Sequence, residues 1–247
     1  MRFFPIKPLP DHIHVQISNE TLRINLRRNE KARKYVLRLP ASGVPVLTVP
    51  ARGTLKTAQK FADRQASWLA ARLAGRPEKI LLLAGDIVPL RGVPHQIVPS
   101  GKLRGLVEAQ ELEDGSCQLI VPGEPSAIAR KSKSFLQEQA RQDLTIAVEK
   151  HAMTLGKSPV KRISIRDTRT RWGSCSSTGT LSFSWRLIMA PPRILDYVAA
   201  HEVAHLVHMD HSAEFWQLCE TLAPQTKEAR SWLRKFGNNL HVYGETP

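Results

Sequence analysis

Cysteine is scarce in this chain, and the scarcity excludes a class of architectures. Cys117, Cys175 and Cys219 are an odd number, widely spaced and without a CxxC pair. They write neither a disulfide framework nor a zinc ribbon into the sequence, and they point to a reducing compartment, with the cytoplasm as the default. Long apolar runs are missing too. No stretch approaches the ~20 residues that a membrane-spanning helix needs. The opening MRFFPIKPLP is interrupted by Pro5, Pro8 and Pro10 and lacks both a continuous apolar core and a small-residue cleavage site, so it does not read as a secretory signal. Internal repeats and low-complexity tracts are absent as well.

What is present is a 247-residue chain with the composition of a globular protein and room for one large domain or two modest ones. Its formal net charge of +14 is uneven. Residues 1–80 hold 16 Lys+Arg against 5 Asp+Glu, residues 81–160 balance at 9 against 9, and residues 161–247 hold 11 against 8. An excess concentrated in the first third suits either a basic solvated face or a surface for nucleic acid or another polyanion. No nucleic-acid-binding motif accompanies it.

The periodicities predict an α+β protein. Ile13, Val15 and Ile17 alternate, followed by Leu22, Ile24 and Leu26, then 36–39 and 46–49, with turn signals at Ser18-Asn19, Arg28-Asn29 and 41–43. This pattern predicts an antiparallel meander. Thr54 is placed to cap a helix over 54–75, with Trp68 as a core anchor and Gly75 and Pro77 as the stop. Short strands return over 80–122, and Pro125-Ser126 opens a long helix on whose apolar line His151 falls as a satisfied structural histidine. Ile163 and Ile165, and then Leu181, Phe183 and Trp185, read as strands. Pro191-Pro192 opens the next helix, with Ala199, Val203 and Val207 on one side and His201 and His205 on another. The expected division is a strongly basic, β-rich region over 1–125 and a second region over 126–247.

That last helix carries His201-Glu202-Val203-Ala204-His205, an H-E-x-x-H pattern. Residues four apart share a helical face, so two imidazoles can reach one small ion. Catalytic zinc takes three protein ligands and a water, and Glu202 is placed to take a proton from that water. A third ligand has three sources. His208 needs the helix to continue. His211 gives H-E-x-x-H-x5-H, the metzincin spacing, although His208 stands where metzincins have their turn-making glycine. Glu214, Glu220 or Glu228 would make a His2Glu site. His211 ranks first, and Asp210 is placed to orient a ligating imidazole.

Arg171-Trp172-Gly173-Ser174-Cys175, then Leu181 through Ala190-Pro191, then HEVAHLVHMDHSAEFW together resemble the YgjP-like metallopeptidase family, relatives of SprT-type and WLM-type zinc proteases. The resemblance runs from about residue 30 to residue 243. It implies Zn2+ bound by His201, His205 and His211, Glu202 as catalytic base, peptide or protein substrates, and a minimal zincin-like fold for the C-terminal half. Zincins bind extended substrates along a sheet edge, so the 181–185 strand or its neighbour is expected to be that edge. Arg169, Arg171 and Trp172 either line the cleft or serve packing and ion pairs, and Cys175 is either a thiolate near the metal or a buried structural residue. The alternative to a peptidase is a zinc-containing module that uses its basic N-terminal half on nucleic acid.

Overall fold

The computed structural model describes residues 8–17, 20–40, 43–74, 78–156 and 160–244. The turn at Ser18-Asn19, residues 41 and 42 of the next turn, and the helix stop at Gly75 and Pro77 lie outside the described residues. The architecture is mixed α/β, with six α-helices and three small sheets among the described residues. No helix among them is long and apolar enough to cross a membrane.

The chain divides into two compact units, Met1–Pro77 and Glu78–Pro247. In the first, β1 (His12–Ile17), β2 (Glu20–Asn29), β3 (Val36–Arg38) and β4 (Val46–Pro50) form one sheet in the order β1-β2-β4-β3. It is not the expected meander. β1 and β2 are antiparallel, but β4 runs parallel to β2, and three-residue β3 is displaced to the edge. The segment between Asn29 and Val46 is long enough to make the crossover that a parallel pair requires. Ile13, Val15, Ile24, Leu47 and Val49 face Ala58, Ala62 and Leu69 of two helices, α1 (Leu55–Arg64) and α2 (Ala66–Ala74). The expected single helix is broken at Gln65, which caps α1. Thr54 does cap the start, accepting a hydrogen bond from the Thr57 amide. The buried line nevertheless continues from Ala58 and Ala62 to Leu69, which is fully buried, and Trp68, the expected anchor, falls one position off that line and is 43% exposed.

The second unit begins well before the boundary expected at residue 125. β5 (Ile87–Leu90), β6 (Val93–Pro99), β7 (Glu108–Glu111) and β8 (Cys117–Val121) form a sheet in the order β5-β6-β8-β7. Its inward residues Val88, Leu90, Ile97, Leu119 and Val121 share one core with the 30-residue helix α3 (Pro125–Thr154) and with α4 (Pro192–Ala204). That shared core is why the sheet belongs with the C-terminal half. A third sheet, ordered β10-β11-β9, is built from β9 (Arg162–Arg166), β10 (Gly173–Cys175) and β11 (Thr180–Ser184). β11 is central, so β10 is an edge. The helices α5 (Ala213–Leu222) and α6 (Thr226–Phe236) complete the unit.

Two polar anchors hold this core in register. His151, 1% exposed on α3, lies with Nε2 2.9 Å from Asp196 Oδ1 on α4, the satisfied structural histidine expected from its position. Arg186, equally buried, pairs with Asp167, donates to the Tyr243 carbonyl at 3.1 Å and stacks over Trp185.

Candidate metal centre

Helix α4 opens on Pro192, whose fixed φ suits a first turn and whose missing N–H would have no partner there. Ile194, Val198, Ala199 and Val203 are buried and pin the helix to the core. The helix stops at Ala204, with His205 as its C-cap. Beyond it the chain tightens: Leu206 N–H bonds the Val203 carbonyl, and the Val207 and His208 amides both bond the Ala204 carbonyl. Val207, expected on the helix's apolar side, is therefore past its end and 55% exposed. The reversal needs no glycine, because no residue from 205 to 211 has positive φ.

This turn carries His211 back to the helix. Ligating atoms of His201, His205 and His211 lie within 4.8 Å of one another. The Nε2 atoms of His201 and His211 are 3.2 Å apart, close to the ~3.3 Å edge of a tetrahedron with zinc–nitrogen bonds of about 2.0 Å. His205 Nδ1 lies 3.0 Å from the His208 carbonyl, which makes Nδ1 the donor and leaves Nε2 for an ion. Thus His208 contributes through its backbone, and neither it nor Glu214, Glu220 or Glu228 joins the cluster. Asp210 accepts from the Ser212 amide at 3.2 Å, so its carboxylate shapes the turn rather than bonding an imidazole. Phe215, fully buried on α5, touches all three rings, with centroid separations of 4.9, 4.5 and 4.8 Å to His201, His205 and His211.

Burial is the largest force on the His201 imidazole and, with His205, His211 and Arg230 nearby, holds it down to about 3. Burial lowers His205 as well, against the His208 carbonyl. Both are neutral at pH 7, the state in which imidazole binds metal without losing a proton. Glu202 is 4% exposed, and burial pushes its carboxyl up to about 8, opposed by the charge of Arg171. A divalent cation among the three imidazoles would draw that carboxyl back toward ionisation. The donor set fits such an ion: three imidazoles converging, and a buried acid beside them.

The RWGSC segment packs directly on Glu202. An added Cβ at Gly173 would lie 2.6 Å from Glu202 Cγ and 2.7 Å from Cδ, so any other residue there must displace the Glu202 side chain. Cys175 also feels Glu202: burial first, then that carboxylate, push its thiol up, which keeps it protonated and unlike a metal-binding thiolate. Arg171 is exposed and close enough to Glu202 to act on it, whereas Trp172 turns away, stacked on His241 at 5.0 Å and packed against Gly237. Sequence reasoning had not found Gly173's role or the presence of Arg230 near His201. A glycine beside a metal motif was the one available signal for the first; nothing local marks the second.

The YgjP-like, metallopeptidase domain family matches residues 33–236. The chain belongs to this family. Membership implies a metal ion and peptide or protein substrates, and His201, His205 and His211 are the group of described residues able to hold that ion. Among solved structures, the metallopeptidase zymogen of Pyrococcus abyssi abylysin is 25% identical with a TM-score of 0.35, covering 38% of this chain and 95% of that one. None of the curated proteins matches.

Proposed function

We propose that this YgjP-like protein is a zinc-dependent peptidase whose second unit is a minimal zincin-like catalytic unit, with α4 as the active-site helix. Zinc is held by His201, His205 and His211, and Glu202 is the general base. The convergence of the three imidazoles beside a buried glutamate from the same helix carries this reading. Zinc held there supplies a water of lowered pKa and polarises the scissile carbonyl.

Glu202 takes the proton of the attacking water and hands it to the leaving nitrogen. Gly173, without a Cβ, leaves room for the Glu202 side chain against β10, and Arg171 favours its ionised form. The substrate is held by strand addition to β10. Trp172 O accepts from Ser184 N, and Ser176 N donates to Thr180 O, so the alternation of an antiparallel pair turns the backbone groups of Gly173 and Cys175 toward the free edge. A nucleic-acid role for the basic first unit rests on charge alone and forms no part of this proposal.

Metal analysis by plasma mass spectrometry tests the site. One zinc per chain is expected in the wild type and in His208→Ala, whose carbonyl survives, and a marked loss is expected in His211→Ala. Glu202→Gln should keep its zinc and lose peptide turnover by at least about 10²-fold. Zinc retained in His211→Ala, or no zinc bound by the wild type when it is supplied, would overturn the assignment.

A further inference from the structure

Arg230, on α6, stands beside the candidate centre without a role in the chemistry above. Its guanidinium carbon lies 4.0 Å from the Trp216 ring. That ring in turn lies 5.7 Å from the His201 imidazole and 5.5 Å from that of His211. The charge is thus one aromatic ring away from two of the three histidines. It also acts on Tyr197, whose hydroxyl lies 3.5 Å from His201 Nδ1.

One feature separates Arg230 from an ordinary surface arginine. Like most of the exposed arginines it has no carboxylate partner among the described residues, but it is held against an indole face. Stacking orders the guanidinium plane and leaves its N–H edge free, so less rotamer freedom remains to be lost when an anion binds. A planar fork of donors matches a carboxylate in bidentate fashion.

We propose that Arg230, ordered on Trp216 beside His201 and His211, is the specificity-determining residue of this site and receives a carboxylate carried by the substrate. The proposal rests on the peptidase reading. The carboxylate has two sources, an acidic side chain near the scissile bond or the free C-terminus of the substrate. With Arg171 also cationic beside Glu202, the same arrangement disfavours lysine and arginine at that position of the substrate.

The test uses zinc-supplied, full-length Glu202→Gln protein, so that binding is read without turnover. The probes are fluorescein-labelled, C-amidated Ala/Ser octapeptides with one Glu scanned through every position, their Gln twins, and the Glu-free peptide with a free C-terminal carboxylate. Fluorescence anisotropy gives Kd. A Glu probe binding about tenfold tighter than its Gln twin at one position assigns a side-chain carboxylate. The same gain confined to the free-acid peptide assigns the C-terminus. Adding Arg230→Gln should remove the preference while leaving zinc content and the circular dichroism spectrum unchanged, and Arg230→Lys should restore part of it. Equal binding of all twins, a preference that survives Arg230→Gln, or binding of none of the probes would overturn the proposal. Neutral probes that bind without preference leave the peptidase reading standing, whereas failure of that reading shows in the zinc content and in absent turnover by the wild type.

Discussion

Gly173→Ala is the sharpest test of how the site is built. The new methyl would lie 2.6 Å from Glu202 Cγ and 2.7 Å from Cδ, against ordinary carbon contacts of about 3.5–4.0 Å. Relief therefore needs a displacement of about 1 Å. Helix α4 cannot supply it cheaply, because Ala199 and Val203 are fully buried. The carboxylate moves instead. Overpacking of this kind costs about 1–3 kcal/mol, and a misplacement of that size costs about 10²-fold in kcat. The backbone of Gly173 itself is in a region that any residue adopts, so no backbone strain adds to the effect. The assay is kcat and KM on a peptide that the wild type cleaves, beside zinc content and a thermal melt followed by tryptophan fluorescence. Zinc content should stay at the wild-type level, kcat should fall about a hundredfold, and Tm should drop by several degrees. Glu202→Asp, which withdraws the carboxylate by one methylene, should harm Gly173→Ala less than it harms the wild type, a coupling that simple unfolding would not produce. A Gly173→Ala variant that keeps its zinc and turns over within about threefold of wild type would refute the reasoning.

Two further outcomes follow from the same contacts. Phe215→Ala removes the ring that touches all three imidazoles, and should cost about 3–5 kcal/mol of stability and weaken zinc retention against a chelator, read by melting and by metal competition. For Asp196, burial pushes the carboxyl up, but His151, Gln225 and Lys150 outweigh it and hold it down to about 2, from 3.8. A folded value below the unfolded one gives stabilisation that is fully present above pH 3.8 and lost as pH falls toward 2. Discounted for solvent, it amounts to about 1 kcal/mol. Asp196→Asn should lose that stability at pH 7 and show a shallower acid limb between pH 4 and 2 in denaturant titrations. An unchanged limb would remove the carboxylate from this role.

Residues that act through local periodicity were legible from the sequence. His201 and His205 share a face because a helix repeats every 3.6 residues, and His151 reads as structural because it falls on the apolar line of α3. The third imidazole of the cluster was legible only as a ranking. His211 over His208 depends on the helix stopping at Ala204, and that stop is made by backbone bonds from Leu206, Val207 and His208 rather than by a glycine. Trp68 and Leu69 are adjacent large apolar residues, and periodicity alone does not choose between them; the line through Ala58 and Ala62 takes Leu69 inward and leaves Trp68 outside. The domain boundary was misplaced for a different reason. Val88, Ile97 and Leu119 alternate as any strand residues do, and alternation does not say which core they join.

Contacts between distant segments were not legible at all, and the centre depends on them. Gly173 lies 29 positions before Glu202, and nothing in RWGSC by itself announces a carboxylate against its backbone. Yet that contact gives the short edge strand a physical reason to carry glycine. β10 has its pairing groups at Ser174 committed to β11, so the free groups that could hold an extended substrate belong to Gly173 and Cys175. The residue that presents those groups is the same one that lets the Glu202 carboxylate approach. On the proposed peptidase reading, a side chain at 173 would pull apart substrate and base in one step. On that reading the distance between the substrate backbone and the proton acceptor is set by a missing Cβ, and the packing of α4 on β10 keeps it there.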